Sequence, residues 1–253
     1  MDVGSLAFQT DLMIRRLSGS SIEDRGDHVV VRTPANPAYH WGNFILVLDD
    51  VRDAPRWLAA FHDAHPDANH VAIGLDTDWV DTELREAYGG LGLAVDVSEV
   101  LTARSVVGKP SPTDCRLLTS DDDWSQALEV TLVTHEITEP VEVEFATRKQ
   151  AEMRRLVEAG HGGWFGARVD GQVRATLGVL TDGSRLGRYQ SVETHPGFQR
   201  RGLARALLTF AADAMSALEE LVIVADPEYH AINLYRSIGF ESVGIQVQVG
   251  KAG

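Results

Sequence analysis

The 253-residue chain contains a single cysteine, Cys115. No intramolecular disulfide can form, and no Cys-rich zinc site can be assembled. A lone cysteine suits a small buried hydrophobe better than a nucleophile, and it fits a reducing compartment. Positive charge is scarce as well: 23 Lys and Arg stand against 37 Asp and Glu, a formal net charge of -14. A broad nucleic-acid footprint needs a basic surface to displace counterions, so nucleic acid is not an expected partner and any anion site must be local. No stretch approaches the roughly 20 apolar residues that span a bilayer, so no membrane partner is expected and the location expected is cytoplasmic. Short-period repeats and low-complexity tracts are also missing. With 44% hydrophobic residues the chain can bury a substantial core, as one large domain or two small ones.

The hydrophobic pattern alternates between helical and strand periods. VGSLAFQTDLMIRRLSG has helical spacing and stops at Gly19. HVVVRTP and WGNFILVLDD read as strands, APRWLAAFHDAH as a helix, HVAIGL as a strand, DTELREAYGG as a helix and LAVDVSEVL as a strand. Trp41, Trp57 and Trp79 are expected to pack this first domain. VVGKPSPTD is the strongest linker signal and divides a domain at 1–108 from one at 114–253. Beyond it come the strand CRLLT and a helix N-cap at Ser120 with Asp123 three residues on. Thr147 and Gln150 suggest a capping box for a helix RKQAEMRRLVEAG. GGWFGARVDG, QVRATLGVLTDG and GRYQSVETHP read as strands joined by Asp-Gly turns. After one more helix come the strand ELVIVADP, the helix YHAINLYRSIG and a strand pair in ESVGIQVQVG.

One stretch stands out in so acidic a chain. VETHPGFQRRGLARALLTF, Val192 to Phe210, passes from a strand through proline and glycine into a helix whose start carries three arginines. Leu203, Ala206, Leu207, Phe210, Ala211 and Ala214 share one helical face. A helix start is already a positive end, because its first N–H groups lack intrahelical partners, so added cations imply an anion. Gly202 permits close backbone approach, Ala204 leaves room beside it, and the amides of the helix start converge on one point suited to a pyrophosphate. About thirty residues on stands Asn233-Leu234-Tyr235-Arg236-Ser237-Ile238-Gly239-Phe240, a helix with a glycine cap.

In this order the two motifs resemble the GNAT superfamily of acyl-CoA N-acyltransferases, from roughly Asp114 to Gly250. The resemblance implies an α/β (α+β) fold, a mixed central sheet flanked by helices, and acetyl-CoA as co-substrate with no metal. It implies that the N–H groups of Arg201, Gly202, Leu203, Ala204 and Arg205 cradle the pyrophosphate, with charge from Arg200, Arg201 or Arg205 and with Gln199 at a position the family fills with Gln or Arg. Val192, Glu193 and Thr194 would splay from the neighbouring strand and offer main-chain groups to the pantetheine arm and thioester. Asn233 lies in the second motif, and Tyr235 matches the tyrosine that protonates the departing thiolate, unless it is a packing tyrosine. An amine acceptor, small molecule or peptide, is protonated at neutral pH and needs a base. Glu193 is the first candidate and His195 the second, whereas many relatives have a glutamate where Arg188 and Tyr189 stand.

The connection HEITEPVEVEFAT carries Glu136, Glu139, Glu142 and Glu144, either a solvated acidic loop or a lure for a cationic amine. His62, His65 and His70 lack metal-ligand spacing. REAYGGLGLAVDV is similar to a worn copy of LYRSIGFESVG, with Tyr88 and Gly92 spaced like Tyr235 and Gly239. The first domain is therefore expected to be a degenerate second copy without an anion loop, in a monomer or homodimer. The competing expectation is a CoA-binding sensor or interaction module without turnover.

Overall fold

The computed structural model describes residues 2–108, 111–228 and 231–251. Lys109 and Pro110 of the expected linker, and Tyr229 and His230 at the start of the expected helix YHAINLYRSIG, lie outside the described residues. The chain forms two compact units: Met1–Leu101, Val224–Ile232 and Ser242–Gly253 in one, Thr102–Ile223 and Asn233–Glu241 in the other.

The first unit contains α1 (Leu6–Leu17), β1 (Ser21–Asp24), β2 (His28–Arg32), β3 (Phe44–Val47), α2 (Ala54–Ala64), β4 (Ala72–Leu75), α3 (Thr82–Gly89) and β5 (Leu93–Ala103). Its strands β1, β2 and β3 run antiparallel, and α2 then carries the chain over to β4, parallel to β3. The stretch ESVGIQVQVG, expected as a strand pair in the second domain, is instead one strand, β11 (Glu241–Lys251), antiparallel to β4 with Val247 opposite Leu75. Val247 and Val249, two residues apart and fully buried, join the same core as Ile73 and Leu75, which explains why one continuous strand forms. Trp57, Tyr88, Phe8, Phe44 and Phe61 fill that core. A side chain on Gly74 would lie 2.7 Å from the Phe8 ring, so glycine lets α1 settle against β4. Trp41 is partly buried beside Phe44, but Trp79 is 39% exposed under the Arg52 guanidinium and does not pack the core as expected.

His65 is buried here, with no hydrogen-bond partner for its Nε2 among the described residues. Burial pushes its imidazole down to about 4, against a hydrogen bond with the Phe44 backbone that raises it. The unfolded chain takes up this proton near pH 6.5 and the native chain only near pH 4. Stability should therefore fall as the pH drops through that window, by up to roughly 3 kcal/mol from this residue. Urea midpoints at pH 7 and pH 4.5 should differ less in His65→Leu than in the parent; an equal difference would remove His65 as the cause.

The second unit contains β6 (Asp114–Leu117), α4 (Asp121–Thr134), α5 (Pro140–Glu158), β7 (Gly162–Val169), β8 (Gln172–Leu180), β9 (Leu186–Thr194), α6 (Leu203–Ala214) and most of β10 (Glu220–Ala225) and α7 (Ala231–Ser237). Strands β6 to β9 form an antiparallel meander, and α6 carries the chain to β10, parallel to β9. Asp170 and Gly171, both at positive φ, make the β7–β8 turn. Successive strand residues point to opposite faces: Trp164 meets Trp124 of α4, and Phe165 meets Phe210 of α6. Helices α4 and α6 therefore cover opposite faces of this sheet. On α6 the buried set is Leu203, Ala206, Leu207, Leu208 and Ala211, while Ala214, expected on that face, is exposed.

Ser120 and Asp123 form the expected capping box, and Arg168 closes on Asp123 at 2.7 Å. The expected box at Thr147 and Gln150 does not exist. Helix α5 begins seven residues earlier at Pro140, and the Thr147 hydroxyl donates to the Val143 carbonyl inside the helix. The stretch expected as an acidic loop is thus partly helix, carrying Glu142 and Glu144.

Candidate active site

The turn into α6 has the geometry that its glycine suggests. Arg200 at φ 59 and Gly202 at φ 81 are both left-handed, and Gly202 is the N-cap. No side chain caps this helix, and Ala206 is its first residue whose N–H reaches a backbone acceptor, the Gly202 carbonyl. A Cβ built on Gly202 would meet no protein atom within 4 Å. The N–H groups of the first turn and the open space above the glycine therefore face outward together. Gln199, Arg200, Arg201 and Arg205 are exposed around them, while Leu203 is buried and Ala204 half-buried. Arg201 lies over the Phe198 ring and donates to the Gly197 carbonyl; Arg205 donates to the Ser237 hydroxyl at 2.6 Å, tying this turn to the end of α7.

Strand β9 departs from regularity on both edges. Its pairing with β10 joins Leu186 to Arg188 with Glu220 to Val222; among the described residues no further pairing follows, although β9 runs on to Thr194. Against β8, Gln190 pairs with Gly178 and Glu193 with Thr176, so Ser191 and Val192 together oppose Leu177. This is a β-bulge, with Ser191 at φ 47. The extra residue reverses the alternation. The Tyr189 hydroxyl donates to the Leu208 carbonyl on the α6 face, whereas Glu193, four residues on, points to the α4 face.

There the buried Glu193 carboxylate accepts from the Thr131 hydroxyl at 2.6 Å and meets His135 Nε2 at 3.2 Å. Thr131 lies in the last turn of α4 and His135 is its C-cap, one turn on, which puts both over the strand. Neither had been singled out as a partner for Glu193; the available signal was their i, i+4 spacing. The carboxylate and Ser191 line a cavity of about 230 Å³ closed by Trp164, Met153 and Phe145.

His195 lies just past β9. Its Nδ1 accepts the Gly197 N–H at 3.1 Å, which leaves the neutral ring without a free lone pair for a substrate proton. Arg188 and Tyr189, which stand where many relatives have a glutamate, are both buried, and burial raises the Tyr189 phenol well above its ordinary value. Val192 and Thr194 are half-buried on the strand, and the Thr194 carbonyl accepts from Gln199 at 3.4 Å. In α7, Asn233 is exposed and Tyr235 is buried edge-on to Phe240. The helix ends with Phe240 N–H on the Tyr235 carbonyl and Gly239 N–H on Arg236, with Gly239 at φ 105. Cys115 is half-buried on β6, and burial pushes its thiol up to about 11, which leaves little thiolate for nucleophilic work. Among the described residues no cluster of His, Cys, Asp and Glu could hold a metal ion, and no helix is long and apolar enough to cross a membrane.

The sequence model of the acetyltransferase (GNAT) family matches residues 129–240, a span that includes α6, β10, α7 and the bulged strand. The chain carries a GNAT acetyltransferase domain. Among solved structures, a functionally unknown conserved protein of Staphylococcus epidermidis aligns over 90% of this chain and 92% of its own, with TM-score 0.74 and 14% identity. A GCN5-related N-acetyltransferase of Kribbella flavida aligns over 98% and 96%, with TM-score 0.69 and 15% identity. A tandem GNAT protein from the clavulanic acid biosynthesis pathway aligns over 94% and 86%, with TM-score 0.56 and 14% identity. At these identities the likeness is one of fold. No curated protein matches the chain.

The first unit also has a strand–helix–strand crossover between parallel strands, β3–α2–β4. Pairing of β3 with β4 continues to the last residue of both strands, Val47 opposite Leu75. The start of α2 is capped by the Asp53 carboxylate, which accepts the Arg56 N–H, and Pro55 has no N–H to give. Tyr88 donates its hydroxyl to the Val51 carbonyl.

Proposed function

We propose that the GNAT domain transfers acetyl from acetyl-CoA to a primary amine by direct attack. The observation that carries this is the bulge in β9, which turns a buried carboxylate, Glu193, into the cavity beside the strand edge that has left β10. Coenzyme A fits the turn at Gly202: four outward N–H groups, space where a side chain would stand, and three arginines suit its pyrophosphate. Glu193 accepts the proton of the attacking amine, and the exposed His135 on its outer oxygen passes that proton to water. The nitrogen adds to the thioester carbonyl, whose oxygen takes the negative charge against β9 main-chain donors. Collapse breaks the carbon–sulfur bond, and Tyr235 protonates the thiolate. No covalent enzyme intermediate is involved.

The first unit, with its carboxylate-capped helix and zipped strands, serves as a degenerate tandem copy in this scheme. Incubation with acetyl-CoA and a panel of primary amines should yield N-acetyl products by mass spectrometry, with equimolar free CoA. Calorimetric titration should give one CoA per chain. Binding without acetylation of any amine would favour a sensor, and two CoA per chain would mean that the first unit is competent.

A further inference from the structure

The cavity at Glu193 is not a cation trap. Glu136, Glu139, Glu142 and Glu144 are all exposed, none of them lines it, and Glu144 is engaged by Arg148. What does line it, besides Glu193, is the ammonium-bearing side chain of Lys149 together with Gln150, both on α5. Lysine is rare in this chain, at residues 109, 149 and 251 only. Lys149 is half-buried. Glu152, one turn further along α5, is not among the lining residues. Thr131 and His135, which hold Glu193, and Ser191 complete the polar lining, and the remaining walls are apolar, with Phe145, Met153 and Trp164 prominent.

A cavity that sets one carboxylate, Glu193, against one lysine, Lys149, with a largely apolar body between them is complementary to a ligand with the reverse charges. An amine without a carboxylate would set its own positive charge beside that of Lys149 with nothing to offset it, which costs free energy. The volume of about 230 Å³ lies below the range of roughly 300–1,000 Å³ typical of drug-sized ligands. Resting on the acetyl transfer proposed above, we infer that the acceptor is a small amino-carboxylate zwitterion with an apolar or aromatic side chain. Its amine is held at Glu193 and its carboxylate at Lys149 and Gln150.

The test compares phenylalanine and leucine with their amides and with phenethylamine and isoamylamine, which lack the carboxylate. The parent enzyme should acetylate the amino acids with kcat/KM at least tenfold above their amides and decarboxylated counterparts. Lys149→Met should abolish that preference with an unchanged melting temperature, and Lys149→Arg should retain it. Equal use of amines with and without carboxylate by parent and Lys149→Met alike would overturn the zwitterion while leaving acetyl transfer intact. If no amine is acetylated, equilibrium binding of phenylalanine decides independently. Binding that Lys149→Met removes supports the inference without the transfer reaction, and no binding by the parent overturns it.

Discussion

Glu193→Gln should lower kcat at pH 7 by roughly 10²–10⁴-fold, the usual contribution of a positioned general base. Glutamine matches glutamate in shape and can still accept from Thr131, so the fold and CoA affinity should be unaffected. What it cannot do is take a proton. An acceptor amine with a pKa near 10 is almost wholly protonated at pH 7, and its free-base fraction rises about tenfold per pH unit. The residual activity of the variant should therefore climb with pH up to the amine pKa, more steeply than that of the parent. His195→Ala should leave kcat near the parent value, because the Nδ1 lone pair is committed to the Gly197 N–H in the turn. Steady-state kinetics from pH 6 to 9 read both effects. An unchanged kcat in Glu193→Gln would remove the carboxylate from the reaction, and a large loss in His195→Ala would transfer the role to the imidazole.

The two halves of the site differed in how well the sequence revealed them. The turn at Gly202 is local: a glycine between arginines at the head of an apolar helical face reports its own φ and its own unpaired amides. Glu193 depends on counting along a strand, and strict alternation puts it on the face of Tyr189. Ser191, at positive φ without being glycine or asparagine, gives no warning that the count shifts by one. The base could be named but not aimed. The placement of β11 failed for a different reason, since pairing with β4 joins residues more than 170 positions apart and no local signal records it. The start of α5 was legible and missed: Pro140 fits the first helical position, but the Thr147 and Gln150 pair looked like a start of its own.

Substituting Gly202 should separate the cofactor turn from the chemistry beyond it. At φ 81 and ψ 4 an alanine costs about 1–2 kcal/mol of stability, and a β-branched valine costs more. The new Cβ meets no protein atom within 4 Å, so the alanine variant should stay folded with only a small fall in melting temperature. The cost then falls on the ligand, because the Cβ occupies the space through which a pyrophosphate would approach the first-turn amides. Losing one or two hydrogen bonds to a charged group, at roughly 1.5–3 kcal/mol each, corresponds to about tenfold or more in affinity for Gly202→Ala and about a hundredfold or more for Gly202→Val. Pantetheine, which lacks the pyrophosphate, supplies the internal control: its weaker binding should be the same in parent and variants. Calorimetry with CoA and with pantetheine on each protein reads the difference directly. If CoA affinity were unchanged in a folded Gly202→Ala protein, or if both ligands weakened equally, the pyrophosphate would have to sit away from this turn, and Arg200, Arg201 and Arg205 would need a different anion.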